Sequence, residues 1–133
     1  MKVGTFLVFG ILLVMSFYEE IQALCHPNGC SIPFNLPYFY KKRFTPACNK
    51  HDVCYACGES NKWSRYQCDR AFKRDMDDLC QGLNITKKLC RAFSVHYYNA
   101  VLLFGGKHYK KTSLSWCKNC PKERGDPNAR LGR

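Results

Sequence analysis

Acidic residues are scarce in this chain of 133 residues: ten Asp and Glu stand against twenty-one Lys and Arg, a formal net charge of +11. Beyond residue 24 no apolar run is long enough to span a bilayer, which excludes a multi-span membrane protein. No internal repeat and no low-complexity tract is present, so a solenoid is excluded. Alternation of apolar and polar residues is weak everywhere, and the single strand signal is a short hairpin expected around 107–116. No nucleic-acid-binding motif accompanies the positive charge. An anionic membrane surface is therefore the better partner for it than a nucleic acid. Aromatic residues make up 14% of the chain, too many for a disordered basic peptide.

What is present begins with a leader. Lys2 precedes an apolar run over 6–15, and Ala23 supplies a small residue where a signal peptidase would cut. This is the pattern of a secretory signal over 1–24. The leader carries Lys2, Glu19 and Glu20, so 20 basic and 8 acidic residues remain after it, a net +12. All ten Cys lie after the leader. They form roughly 9% of the remaining chain, a disulfide-scaffold composition that belongs in an oxidising compartment. Residues 25–133 are expected to form one domain.

Residues 25–47 read as loop, interrupted by Pro27, Pro33, Pro37 and Pro46. A helix is expected from Ala47 to about Cys57, ended by Gly58, and a second from an N-cap at Ser64 to Leu79 or Cys80. In the second helix Tyr66, Phe72, Met76 and Leu79 recur at helical spacing. A third covers about 89–104 and breaks at Gly105-Gly106; its Tyr97, Tyr98, Leu102 and Leu103 read as core. The fold class is mainly α and disulfide-rich.

The chemistry sits in Ala47-Cys-Asn-Lys-His-Asp-Val-Cys-Tyr-Ala-Cys57. On a helix, His51 and Tyr55 share a face, while Asp52 is turned about 100° from His51. Cys48 and Cys54 lie three residues before and after His51, so bridges from them would hold it rigidly. An imidazole can take a proton from water near neutral pH. A carboxylate beside it can hold a hard cation that prefers oxygen ligands. Asp69, in Cys68-Asp-Arg-Ala-Phe72, is a second carboxylate that could fix the imidazole's orientation. With no serine nucleophile identified, the nucleophile is expected to be water.

Cys-x-x-His-Asp-x-Cys-Tyr followed by Cys-Asp-Arg-Ala-Phe resembles secreted phospholipase A2. With Asn28-Gly-Cys-Ser31 and Phe44-x-x-Ala-Cys-x-x-His-Asp52, the chain looks more like the compact bacterial, fungal and conodipine-type members than the pancreatic or snake-venom ones. Its cysteine richness, small size, leader and dibasic pairs are most like the conodipine-type venom enzymes. The resemblance implies two antiparallel helices cross-linked by disulfides, preceded by a calcium loop and followed by a third helix. It implies bridges Cys30–Cys48 and Cys54–Cys68. It assigns His51 as general base, Asp69 as the partner of its imidazole and Tyr55 as the residue steadying Asp69. Ca²⁺ is the implied cofactor, held by Asp52, the Gly29 carbonyl and Asn28, which stands where bacterial members place Asp. The Gly-rich calcium loop of the animal enzymes is missing; 31–40 reads Ser-Ile-Pro-Phe-Asn-Leu-Pro-Tyr-Phe-Tyr. The implied reaction is hydrolysis of the sn-2 ester of a glycerophospholipid at a membrane surface.

The remaining six Cys allow fifteen connectivities. Cys54-x-x-Cys57 and Cys117-x-x-Cys120 also match zinc spacing, but an exported chain pairs its Cys with one another. Lys87-Lys88 and Lys110-Lys111 are dibasic pairs at which a precursor could be cut into two disulfide-linked chains, as in conodipine-type precursors. Asn84-Ile-Thr86 is a glycosylation sequon. Trp63 and Trp116, with Tyr38, Phe39 and Tyr40 beside Lys41-Lys42-Arg43, are candidates for an interfacial rim. The competing function is a catalytically silent toxin on the same scaffold that binds a channel or receptor through its basic surface.

Overall fold

The computed structural model describes residues 2–31 and 39–131, and within the first helix the side chains of residues 4–16. Tyr38 and most of the segment after Ser31 lie outside the described residues. The described elements are α1 (Lys2–Ala23), α2 (Lys41–Asn61), α3 (Arg65–Cys80) and α4 (Lys87–Phe104), followed by 3₁₀ turns at Gly106–His108, Ser115–Lys118 and Lys122–Arg124. The fold is mainly α and rich in disulfides.

Helix α2 starts earlier and ends later than its sequence suggests. Pro46 lies inside it. Its missing N–H leaves the Lys42 carbonyl without its helical donor, and Lys42 is exposed, so water can supply one. Gly58 does not stop the helix. A Cβ there would come within 2.7 Å of the Trp63 carbonyl and 2.8 Å of the Tyr109 hydroxyl, so this glycine serves close packing. The helix ends at Lys62, whose φ of 59° turns the chain while Trp63 N–H donates to the Gly58 carbonyl at 2.8 Å. Ser64 then caps α3. Its hydroxyl accepts from Gln67 N–H at 3.1 Å, and the Gln67 side chain accepts from Ser64 N–H at 2.8 Å, a reciprocal capping box.

A three-residue turn forces α2 and α3 antiparallel, and the cross-contacts run accordingly: Cys54 to Cys68, His51 to Asp69, Lys50 to Asp75, Arg43 to Leu79. Helix α4 returns along α3, with Cys80–Cys90 at one end and Arg65 against Val101 at the other. One buried cluster holds Phe44, Cys48, Phe72, Met76, Cys90 and Tyr97. Another holds Val53, Cys54, Cys57, Trp63 and Cys68. Truncating a fully buried residue such as Met76 to Ala would cost about 2–5 kcal/mol.

Several expectations are corrected here. Residues 107–116 form no hairpin. Lys110 N–H donates to the Tyr55 carbonyl and Leu114 N–H to the Ala56 carbonyl, both at 3.2 Å, and Cys117 is bridged to Cys57. The segment gives these backbone donors to the end of α2 rather than to a second strand. Trp63 is buried, not part of a rim. Leu102 and Leu103 are exposed rather than core, as is Tyr66.

Candidate active site

His51, Asp52 and Tyr55 come from the middle of α2, and Asp69 from the second turn of α3. Five disulfides frame them: Cys25–Cys120, Cys30–Cys48, Cys54–Cys68, Cys57–Cys117 and Cys80–Cys90. Cys30–Cys48 holds the 28–31 segment against α2 one turn before His51. Cys54–Cys68 joins α2 to α3 beside Asp69.

The imidazole of His51 lies between rings, 4.6 Å from Phe72 and 4.1 Å from Tyr55 by ring centroid. Its Nε2 is 2.7 Å from Oδ1 of Asp69, and the Tyr55 hydroxyl donates to the same oxygen at 2.6 Å. A carboxylate only accepts, so Nε2 carries the proton and Nδ1 keeps its lone pair. Burial holds the His51 pKa below its ordinary value, and the bond to Asp69 only partly opposes it. The resting imidazole is therefore neutral at neutral pH. Burial, and next the bond to Asp69, push the Tyr55 hydroxyl upward, so Tyr55 stays a donor.

Asp52 points to a different environment. Its Oδ2 accepts from the backbone N–H of Asn28 at 3.1 Å. Burial raises its pKa to about 6, and the single hydrogen bond from Asn28 only partly offsets this. Among the described residues no cationic side chain lies within ion-pair distance of it. A desolvated carboxylate without a counter-charge, facing the loop that carries Asn28 and Gly29, fits a hard cation. Gly29 has φ 73°, a turn that favours glycine. Among the described residues no group of three His, Cys, Asp or Glu side chains could hold a metal ion. A cation here would rely on Asp52 plus neutral oxygens such as backbone carbonyls, a ligand set calcium accepts. Asn28 is brought to Asp52 through its backbone.

His51 and Asp52 line a cavity of roughly 590 Å³. Phe72, Tyr97, Val101 and Phe104 supply an apolar wall. The exposed Lys107, His108 and Lys110 lie at its edge with Trp116. Tyr97, read in the sequence as core ahead of a lipid channel, serves as both, being buried and lining the cavity. Sequence reading missed Phe72, Val101 and Phe104 in this wall and the role of Arg65, which bridges the site to α4. Arg65 stands four residues before Asp69, a helical i,i+4 spacing that could have signalled the contact.

A buried imidazole–carboxylate pair beside a lone carboxylate, on two bridged antiparallel helices, is the arrangement of a phospholipase A2 scaffold. The prokaryotic phospholipase A2 family profile matches residues 18–105, and the chain belongs to that family. Among individual proteins, it is 46% identical over 83 residues to Conodipine-P3 of Conus purpurascens, which covers 62% of this chain and 46% of that protein. Conodipine-P1 from the same snail gives the same figures. Conodipine-M alpha chain of Conus magus is 46% identical over 54 residues, 40% of this chain and 68% of that protein. The chain thus spans about half the length of the Conodipine-P proteins it matches. No solved structure matches it.

Proposed function

We propose that this chain is a secreted, calcium-dependent venom phospholipase A2 that hydrolyses the sn-2 ester of glycerophospholipids. The observation that carries the reading is His51, neutral and oriented by Asp69, beside the uncompensated Asp52 at an apolar cavity. Nδ1 of His51 takes a proton from water as the water oxygen attacks the ester carbonyl carbon. Asp69, steadied by Tyr55, stabilises the imidazolium that forms. The C–O bond to glycerol then breaks, and the imidazolium returns its proton to the departing alkoxide. The products are a fatty acid and a lysophospholipid. Asp52, the Gly29 carbonyl and Asn28 are the residues that would hold Ca²⁺, which when bound supplies a Lewis acid for the carbonyl and phosphate oxygens. The apolar wall suits an acyl chain.

The partner is a phospholipid surface. The exposed Leu102, Leu103 and Phe104 end α4, and Lys107, His108 and Lys110 follow at the cavity edge. Apolar anchors beside cations suit an anionic interface. Residues 1–24 are read as a leader: Phe6, Phe9 and Val14 on α1 are exposed, as expected of an apolar helix that is not part of the domain body. Cleavage at Lys110-Lys111, exposed and outside any helix, would leave two chains joined by Cys57–Cys117 and Cys25–Cys120. Cleavage at Lys87-Lys88 would add Cys80–Cys90 to these ties.

A fluorescent-phospholipid assay with calcium and with excess chelator tests the reading. Hydrolysis that needs calcium and disappears in His51→Gln is expected. Full activity in chelator would remove the calcium mechanism, and no hydrolysis under any condition would leave the silent-toxin reading.

A further inference from the structure

Arg65 is the first residue of α3, and its guanidinium meets four acceptors from three elements. Nε donates to the Tyr55 hydroxyl at 3.3 Å and lies 3.6 Å from Oδ2 of Asp69. Nη2 donates to the carbonyls of Val101 and Leu102, both at 2.8 Å. Those carbonyls belong to the last turn of α4, where the Val101 carbonyl also accepts the Gly105 N–H at 2.8 Å. Val101 lines the cavity that His51 faces. Arg65 therefore touches, on one side, the two groups that orient His51 and, on the other, the turn that builds the cavity wall.

The glycines after α4 make this approach possible. A Cβ on Gly106 would lie 2.9 Å from Nη1 of Arg65, and one on Gly105 would lie 2.8 Å from the Tyr55 hydroxyl and 2.4 Å from the Val101 carbonyl. The pair Gly105-Gly106, which reads in the sequence as a helix break, lets the chain close over Tyr55 and Arg65.

We propose that Arg65 is a positioning residue that ties the C-terminal turn of α4 to the Asp69–Tyr55 pair, so that the cavity wall and the orientation of His51 are fixed as one unit. Asp69 Oδ1 takes two donors, and Arg65 is the charge facing its second oxygen. A neutral residue at 65 would free the carboxylate to rotate and the imidazole with it. This rests on the reading of His51 as the base. Arg65 bonds two residues that line the cavity, Tyr55 and Val101, but is not itself a lining residue, so its replacement removes no direct contact with a bound lipid and the larger effect is expected on kcat.

The test uses the full chain with its bridges formed, on a monomeric short-chain phospholipid with calcium. Arg65→Gln should lower kcat on the order of ten- to a hundredfold, the scale of a small misplacement of a catalytic group, with KM within about twofold. Arg65→Lys should recover part of the loss, since an ammonium can pair with Asp69 but cannot also cap two carbonyls. Independently of activity, the Nε2–H proton of His51 should give a slowly exchanging ¹H–¹⁵N signal in the wild type that broadens or vanishes in Arg65→Gln. An unchanged kcat, or a rise in KM alone with the Nε2–H signal intact, would overturn the proposal and leave Arg65 a helix cap. If Arg65→Gln fails to fold, Arg65→Lys decides: lowered kcat at constant KM supports the tie, and wild-type kcat refutes it. His51→Gln runs alongside. Its retention of activity would overturn the assignment of the base, while the Nε2–H signal would still decide whether Arg65 holds the imidazole.

Discussion

Lys50 and His51 are consecutive on α2. Both are buried, and each is paired with an aspartate of α3, yet their surroundings differ completely. Lys50 bonds Asp75 at 2.7 Å and also the carbonyl of Ala129. The other Asp75 oxygen takes Arg74 at 2.8 Å, and Arg74 also binds the carbonyls of Pro127 and Ala129. The residues before the C-terminus thus lie over the Lys50–Asp75 pair. Burial pulls the Lys50 ammonium below its ordinary pKa, and the bond to Asp75 opposes this. His51 has no such cover. It spends one nitrogen on Asp69 and lines a cavity. A base-on-α2, acid-on-α3 pair becomes structural when covered, and available for chemistry when one side opens to a ligand space.

Exchanging the two residues' roles by mutation should break this symmetry most sharply. His51→Gln is expected to lower kcat at least a thousandfold, within the reach of general acid–base catalysis, while the melting temperature moves little. Lys50→Met is expected to do the reverse. It orphans part of a buried aspartate and should cost about 3 kcal/mol, less than full loss of a buried pair because Arg74 remains. Activity well below its melting point should stay within about a few-fold of wild type. Activity and thermal unfolding measured on both variants decide this; a large activity loss in Lys50→Met at unchanged fold would merge the two regions.

The next effect concerns Asp52. Asp52→Asn should lose both calcium binding and hydrolysis by titration calorimetry and lipid assay. In the wild type, calcium affinity should hold at neutral pH and fall as pH drops through about 6, because protonated Asp52 cannot ligate. The sign for the ion-free protein is opposite. A carboxylate whose folded pKa is raised favours folding in its protonated form, a contribution present below its ordinary pKa near 3.8 and lost as pH rises through about 6. In chelator, stability should therefore gain from acidification over that window; a calcium affinity flat from pH 7 to 5 would contradict the assignment.

A smaller contrast separates two bridges. Removing Cys54–Cys68 with two alanines should lower activity more than removing Cys80–Cys90. Each costs on the order of 2–5 kcal/mol, but only the first bridge lies beside Asp69. Equal activity losses at matched stability would refute the clamp. Smallest is the cavity edge. Lys107→Glu with Lys110→Glu should weaken binding to anionic vesicles about tenfold while hydrolysis of a monomeric substrate stays within about twofold. Unchanged vesicle binding would place the lipid-facing surface elsewhere.

Much of the α2–α3 hairpin was legible in the chain. Ser64 announces α3, Cys54 and Cys68 stand close to His51 and Asp69 in the sequence, and His51, Asp52, Tyr55 and Asp69 stand out as types and spacings. The boundaries of α2 were not legible, because Pro46 and Gly58 signal interruption locally and are overruled by packing. The segment 107–116 was misread because its backbone partners are carbonyls of a helix about fifty residues earlier, which no local pattern records. Trp63 and Leu103 show the same limit from opposite sides: one looks interfacial and is buried, the other looks like core and is exposed.

The sequence by itself determined the residue types that can move a proton and hold a cation, and the two helices that carry them, since helical spacing and capping act within a few residues. Tertiary structure alone decided that Lys50 is covered by the C-terminal segment while the equally buried His51 lines a cavity, that ten cysteines form these five pairs, and that Arg65 joins Asp69 to the end of α4. Those outcomes depend on which distant backbone carbonyls and side chains meet when three antiparallel helices and a bridged C-terminal segment close around them, and contacts of that range leave no period in the chain to read.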